Sequence, residues 1–280
     1  TLFYHFCADL PRLDDTERAD HAQLRFRLSA GAADYTFAGD MPQDAPPCHV
    51  IGPTASAFRT RADGPVEVIG MGLHPAGWAA IIGVDASTMV DRVLDGAHLF
   101  GAAVDGWRAR MAAADGTDAK VAVAAALVRA SLTQRPAGTL DFARRIDAWL
   151  ADAGPPAVDA LVAGSGLSRR QVERRTKALY GVPPKTLARK YRALRAAVAL
   201  AEGATIDDAL SAGGFYDQSH LIRELRAFTG LTPRRIRDAP GLLTQLTISH
   251  RRALHGQVPR IVFASMCAFW AGEFVNSYVL

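Results

Sequence analysis

Residues 159–181 read DALVAGSGLSRRQVERRTKALYG, and residues 205–237 read TIDDALSAGGFYDQSHLIRELRAFTGLTPRRIR. In each segment, apolar residues at helical spacing flank a glycine turn, which predicts a helix, a turn and a second helix. Ser168 and Asp217 stand where each second helix needs an N-cap, and Thr205 stands where the helix before the second turn needs one. The two segments therefore predict two helix-turn-helix units in tandem.

The second helix of each unit has an apolar side and a polar side. The inward side chains are apolar or half-apolar: Val172, Thr176 and Leu179 in the first unit, and Leu221, Leu225 and Phe228 in the second. The outward side chains are mostly basic or carry amides and hydroxyls: Arg169, Arg170, Glu173, Arg174 and Lys177 in the first unit, and Gln218, Ser219, Arg223 and Arg226 in the second. Such helices can pack on one side and present the other to a ligand.

Charge is divided unevenly along the 280 residues. Residues 1–150 carry 14 basic and 18 acidic side chains, net −4, whereas residues 151–280 carry 18 and 10, net +8. Between Ser165 and Arg195, ten basic residues accompany a single acid, Glu173. A charge run is often only a solvated helix face. Because this run coincides with the first helix-turn-helix pattern, we interpret it as a surface that faces nucleic-acid phosphates.

The segments GLSRRQVERR…YGVPPKTL and GFYDQSHLIRELRAFTGLTPRRIR resemble the two signature segments of the AraC/XylS family of transcription regulators. The resemblance spans residues 138–239 and includes, in order, the turn, the DQSH helix start and the closing G-x-TP. It implies a sequence-specific DNA-binding regulator rather than an enzyme. Its implied partners are double-stranded promoter or operator DNA, RNA polymerase and, as a possibility, a second copy of the chain. The chain departs from the family at Thr176, Leu221 and Leu225, where the family usually has Phe.

Helix spacing and the resemblance together assign the DNA contacts. Arg170 and Arg174 are four residues apart on the outward side, which suits bidentate contact with guanine, and Arg174 aligns with the family's usual base-contacting arginine. The predicted base contacts are Arg169, Arg170, Arg174, Gln218, Ser219 and Arg223. The predicted phosphate contacts are Ser168, Lys177, Lys185 and Arg226. For each of them a merely solvated side chain is the alternative.

The spacer between the two units is itself predicted to be helical. It runs from Pro184 to about Glu202, nineteen residues, and is therefore about 28 Å long. Successive major grooves on one DNA face are about 34 Å apart. One subunit could thus engage two neighbouring groove segments.

The N-terminal part is predicted to be β-rich, because LFYHFC, QLRFRL, DYTFA, SAFRT and PVEVIGMGL alternate apolar and polar residues. PVEVIGMGLHPAGWAAIIGVDAS, residues 65–87, is similar to the sensor segment of a subgroup of the family, which implies a cupin-like fold. We expect an α+β chain with a small N-terminal β-barrel, a helical linker and an all-α domain with two helix-turn-helix units. The expected boundaries are 1–96, 97–137, 138–239 and a tail at 240–280.

Residues 97–134 predict two Ala-rich helices with apolar stripes. In the family, such helices often pair two subunits. Covering the barrel of their own chain is an equally good interpretation, and both stay open here.

Neither a metal nor a catalytic site is predicted. Cys7, Cys48 and Cys267 are too scattered for a disulfide framework or a CxxC site, and the chain contains no His-x-His. His5, His21, His49 and His74 are expected to be hydrogen-bonded structural residues. A small-molecule effector would enter an apolar pocket of the barrel by analogy only, and the residues that bind it are not indicated. The alternatives are a cupin-type enzyme or a DNA-repair protein with an attached DNA-binding module, or a module that binds proteins.

The last segment, IVFASMCAFWAGEFVNSYVL at residues 261–280, is apolar but interrupted by Glu273 and Asn276. A membrane span needs about 20 apolar residues without such a charge. We expect this tail to dock on the barrel or to complete a dimer contact. No secretory signal is evident, so a cytoplasmic location and no cofactor are expected.

Overall fold

The computed structural model describes residues 2–132, 138–152, 154–238, 241, 243 and 275–279. Its strands, apart from the last, belong to the N-terminal part: β1 (Leu2–Ala8), β2 (Arg12–Glu17), β3 (Gln23–Arg27), β4 (Ala33–Thr36), β5 (Gln43–Asp44), β6 (Cys48–Ile51), β7 (Phe58–Asp63), β8 (Val66–Gly72), β9 (Val93–Asp95) and β10 (Val275–Val279). They form a six-stranded sheet in the order β10-β1-β8-β3-β6-β9 and a four-stranded sheet in the order β2-β7-β4-β5.

Side-chain alternation on β3 shows how the sheets are layered. Leu24 and Phe26 are fully buried on one face of the six-stranded sheet. Arg25 lies on the other face, where its guanidinium donates to the Tyr35 hydroxyl of the four-stranded sheet at 3.0 Å. Tyr35 and its neighbour Phe58 pack with Ile51 of β6. The expected β-rich N-terminal fold is therefore confirmed, with its strands paired in two facing sheets.

Helices cover the other face of the six-stranded sheet. They are α1 (Pro75–Ile81), a 3-10 turn (Ala86–Met89), α2 (Ala97–Phe100), α3 (Ala103–Ala113) and α4 (Gly116–Ala130). Val104 and Met111 of α3 and Val121 of α4 share a core with Leu24 and Phe26. The helices of residues 97–132 thus cover the sheet of their own chain, and a role in pairing two subunits stays a prediction.

The C-terminal part is all-helical, as expected. Its helices are α5 (Thr139–Ala151), α6 (Val158–Ser165), α7 (Arg169–Tyr180), α8 (Pro184–Ala201), α9 (Ile206–Gly213), α10 (Gln218–Thr229) and α11 (Pro233–Asp238). The spacer helix α8 contributes to two cores: Leu187 and Leu194 pack with α5, α6 and α7, and Leu200 packs with α9, α10 and α11. Two helix-turn-helix units on one continuous helix are confirmed.

The described part of the tail is β10, which pairs in parallel with β1, with Val275 opposite Phe3. This strand docks on the six-stranded sheet as expected. The rest of the apolar segment, 261–274 with Cys267, lies outside the described residues. None of the described helices is long and apolar enough to cross a membrane.

Candidate nucleic-acid interface

The first recognition helix, α7, is fixed by its own sequence. Gly166 makes the turn with φ +69°, a conformation that a Cβ disfavours. Ser168 then caps the helix: its hydroxyl accepts from the Gln171 amide at 3.4 Å, and the Ser168 amide donates to the Gln171 side chain at 2.9 Å. Val172 and Thr176 are fully buried. The Thr176 hydroxyl donates to the Val172 carbonyl at 2.7 Å, so the half-polar residue that replaces Phe is satisfied within the helix.

The opposite side of α7 is exposed and basic. Arg170, Arg174 and Lys177 are exposed at the i, i+4 and i+7 spacing that places side chains on one helix face. Arg169 is exposed as well and forms an ion pair with Asp159 of α6. The structure thus brings these predicted contacts together on one surface.

The second recognition helix, α10, is built in the same way. Asp217 caps it by accepting from the His220 amide at 2.6 Å, and Leu221 and Leu225 are fully buried. The predicted contact residues all face solvent: Gln218, Ser219, Arg223 and Arg226. Beside them lies Tyr216, 93% exposed. Tyr216 is absent from the predicted contacts, although an aromatic residue in a turn directly before a recognition helix was a usable signal.

The basic run is only partly available to DNA, which corrects the expectation of one uniform basic surface. Arg189 of α8 donates to both carboxylate oxygens of Glu224 at 3.0 and 2.7 Å, and Arg195 donates to the Asp152 carbonyl at 2.7 Å. Lys190 is only 2% exposed. Arg189 and Arg195 thus face neighbouring helices of the C-terminal part, and Lys190 faces the N-terminal part. Lys185, at the start of α8, remains exposed.

Lys190 joins α8 to the N-terminal part. Its ammonium group donates to the carbonyl oxygens of Asp20 and Thr54 at 2.7 and 3.1 Å. Burial lowers the pKa of Lys190 to about 8, because the charged form loses hydration. This buried cation is therefore a structural link between residues 2–132 and residues 138–238, which are called the sensor part and the DNA-binding part after the resemblance described above.

Aromatic and imidazole side chains extend that link. The His21 ring nitrogen Nε2 lies 2.8 Å from the Tyr191 hydroxyl, and burial holds the pKa of His21 well below its usual value. His74 pairs with Asp147 at 2.9 Å, and the Tyr180 hydroxyl donates to the same carboxylate at 3.1 Å. Both histidines are hydrogen-bonded, as the sequence analysis expected.

The sensor part also contacts the second unit. The amide of Ala19 donates to the carbonyl of Phe228 at 2.8 Å, and the amide of Ala57 donates to that of Ala227 at 2.8 Å. Both acceptors lie near the end of α10. A movement of the sensor part would therefore act on both recognition helices.

Comparison with known proteins locates the family resemblance. The family model described as "Helix-turn-helix domain" matches residues 161–239, from within α6 to just beyond α11. No curated protein matches the sequence. Among solved structures, the chain is similar to ToxT from Vibrio cholerae, with 11% identity and a TM-score of 0.47 over 83% of this chain and 97% of that chain. It is also similar to the AraC-like transcriptional activator CuxR, with 19% identity and a TM-score of 0.31 over 74% and 80%.

The family match covers both capped recognition helices and the spacer that joins them. Their fold, order and exposed faces agree with the signature segments quoted above. Residues 161–239 are therefore a helix-turn-helix domain with two recognition helices.

Proposed function

We propose that one subunit reads two neighbouring major-groove segments of a promoter, with α7 in one and α10 in the next. The observation that supports this proposal is that two capped helices with exposed polar faces pack on one continuous spacer helix. That spacer, α8, has 18 residues and is about 27 Å long. The packing of both recognition helices on α8 supports a fixed spacing close to the groove repeat of about 34 Å.

Within this arrangement we assign base readout to Arg169, Arg170, Arg174, Gln218, Ser219 and Arg223. Arg169 must first leave Asp159, which is inexpensive because exposed ion pairs contribute only about 0–1 kcal/mol. Lys177, Lys185 and Arg226 are assigned to phosphates. Ser168 is also assigned to a phosphate, which its hydroxyl would contact while it caps α7.

We further propose that the sensor part responds to a small molecule and that the protein acts by binding rather than by catalysis. An open pocket of about 480 Å³ is lined by Asp40, Gln43, Val90, Asp91, Arg92 and Val93. Val90 also contacts Gly181: a Cβ on Gly181 would lie 2.8 Å from Val90 Cγ2. A ligand that shifts Val90 would therefore press on the turn that ends α7. This location supports the pocket as the effector site.

The resemblance supports RNA polymerase as a partner, a homodimer, and action in the cytoplasm, where promoter DNA is found.

The deciding experiment is enrichment of genomic fragments by the purified full-length chain, followed by mobility shifts at several salt concentrations. We expect enriched sites with two conserved blocks about one helical turn apart, and binding that weakens steeply with salt. Variants of α7 and of α10 should each lose preference at one block. Enrichment of random DNA, or binding that survives variants of both helices, would refute the proposal.

A further inference from the structure

Three different metal-binding side chains converge on the face of the six-stranded sheet beneath α4. His5 and Cys7 are two residues apart on β1, and Glu67 of β8 is the direct pairing partner of Cys7. Because side chains alternate along a strand, all three lie on one face. His5 Nε2 is 3.1 Å from Cys7 Sγ and 3.1 Å from Glu67 Oε1. The three ligand atoms lie within 4.8 Å of one another.

The cluster is enclosed but still reachable from solvent. His5 is 6% exposed, Cys7 is half-buried, and the Glu67 side chain is 34% exposed. A small ion could enter beside Glu67 and keep one water ligand there.

When the His5 imidazole is neutral, neither of its tautomers can hydrogen-bond favourably to Thr117, Cys7 and Glu67 at once. Thr117 Oγ1 of α4 lies 2.8 Å from His5 Nδ1. If Nδ1 donates to Thr117, the Nε2 lone pair can accept from the Cys7 thiol but also faces the lone pairs of Glu67. If Nε2 carries the proton instead, it donates to Glu67 and cannot accept from Cys7. A cation placed among the three atoms would accept one lone pair from each of them.

We propose that His5, Cys7 and Glu67 bind one zinc-class divalent ion, with water as the fourth ligand. Zn²⁺ accepts imidazole nitrogen, thiolate sulfur and carboxylate oxygen in a tetrahedral site. The thiolate favours zinc over magnesium or calcium. Thr117 is placed as the outer partner that fixes the imidazole tautomer. On binding, the Cys7 thiol releases its proton to solvent and the sulfur bonds to the ion.

Lys120 of α4 is a built-in competitor. Its ammonium group lies 3.3 Å from Glu67 Oε1 and donates to the Met111 carbonyl at 3.2 Å. Ion binding draws Glu67 away from Lys120, which keeps its bond to Met111. Since Thr117 and Lys120 both belong to α4, the site couples ion binding to the way this helix is held on the sheet.

The test uses the full-length chain, freed of metal with a chelator and then titrated with Zn²⁺ or with Co²⁺ as a coloured substitute. We expect one zinc ion per chain and a cobalt spectrum with a thiolate charge-transfer band. Cys7→Ser should abolish that band. Cys7→Ser and His5→Gln should each weaken zinc binding at least about 100-fold, because losing an outer-shell partner alone costs about 10–100-fold. Lys120→Gln should strengthen binding.

Two matched controls substitute a cysteine and a histidine that lie outside the cluster. Cys48→Ser changes a buried cysteine of β6 and His98→Gln an exposed histidine of α2, and both should bind zinc like the parent. Thermal unfolding of each metal-free variant separates loss of a ligand from loss of the fold. The proposal is overturned if the parent takes up no zinc, if folded Cys7→Ser and His5→Gln bind it like the parent, or if Lys120→Gln weakens binding. None of these outcomes depends on DNA binding.

Discussion

At the scale of single residues, the arginines of the DNA-binding part have different tasks because their partners differ. Within the described part of the chain, the Arg174 side chain has neither a hydrogen bond nor an ion pair and is exposed, so its guanidinium is available to a base. Arg189 is held by Glu224, whose side chain is only 6% exposed. Removing one partner of such a pair leaves a buried charge, which costs far more than breaking an exposed pair. An ion pair with a buried partner therefore distinguishes the structural Arg189 from the arginines proposed to contact DNA.

Arg174→Ala should weaken specific DNA binding by about 1–3 kcal/mol, because a bidentate contact with one guanine is lost. Folding should change little, since the side chain is exposed. Mobility shifts with the enriched site and with random DNA measure the effect, and Arg12→Ala, an exposed arginine of the sensor part, is the control. Unchanged preference for the site would remove Arg174 from base readout.

Lys190 makes stability depend on pH in a direction that can be derived. Its pKa is about 8 in the folded chain and 10.5 in an ordinary environment. Between these values the unfolded chain binds more protons, so the free energy of unfolding rises with pH. Below pH 8 both states are protonated and this dependence vanishes.

Urea unfolding of the parent and of Lys190→Met should therefore diverge above pH 8. We expect the parent to gain roughly 3 kcal/mol relative to the variant by pH 10.5. Because other groups titrate equally in both proteins, only the difference between them is informative. Parallel pH curves would show that Lys190 is not desolvated at the interface between the two parts.

At the scale of elements, a glycine follows the end of α6 and another follows the end of α7, but only the second lies against the sensor part. Gly166 and Gly181 both have positive φ, +69° and +80°. A Cβ on Gly166 would meet nothing within 4 Å, whereas one on Gly181 would lie 2.8 Å from Val90 and 3.0 Å from Pro53. Substituting each glycine in turn therefore distinguishes the cost of backbone strain, present at both positions, from the cost of contact with the sensor part, present only at Gly181.

Gly166→Ala should destabilise the fold by about 1–2 kcal/mol, the cost of a left-handed residue with a Cβ. Gly181→Ala should destabilise it by more, because Val90 and Pro53 must also move. Chemical denaturation of both variants measures the difference. Equal losses would mean that the turn after α7 does not press on the sensor part.

The two recognition helices should also contribute differently to the salt dependence of DNA affinity. Exposed basic residues are denser on α7 than on α10, and each neutralised phosphate contributes about −0.9 to the slope of log affinity against log salt. Lys177→Ala, which removes the phosphate contact proposed on α7, should flatten the slope by roughly 1 unit. Gln218→Ala should relax one base position and leave the slope nearly unchanged. Titrations at several salt concentrations that gave one common slope would exclude a phosphate role for α7.

At the scale of the whole molecule, the sensor part holds both helix-turn-helix units. Lys190, His21 and two backbone hydrogen bonds connect it with α8 and with the end of α10. Ala19 of the sensor part packs with Ala193 and Phe228 in one small core. The relative placement of the recognition helices is therefore under the influence of the part proposed to bind an effector.

Residues 138–239 alone should fold and bind DNA, because α8 shares one core with each unit. This fragment should be less stable than the same segment in the full chain, since Lys190, Tyr191 and Phe228 lose their sensor partners. Residues 1–132 alone should not bind DNA. Circular dichroism and mobility shifts test both fragments, and a fragment 138–239 that is folded yet inert toward every site of the full chain would contradict modular organisation.

The order of the helices in the two helix-turn-helix units followed from the sequence because their causes are local. Ser168, Thr205 and Asp217 each cap a helix within three residues, and the apolar stripes repeat at helical spacing. The exposed faces of α7 and α10 could be read from the same period. For this reason the family resemblance and the predicted contact surface were accessible without coordinates.

Contacts between distant residues were not accessible in this way. Lys190 lies 170 positions from Asp20, and nothing in its basic neighbourhood distinguishes it from Lys185. His5 and Glu67 are 62 positions apart, so the spacing of His5 and Cys7 alone could not indicate the third member of the cluster. Which residues are buried, and which partners they contact, depends on how the sheets and helices pack. The periodicity of the sequence shows only which face of each helix or strand is apolar. Which charges remain free for DNA was therefore settled by packing.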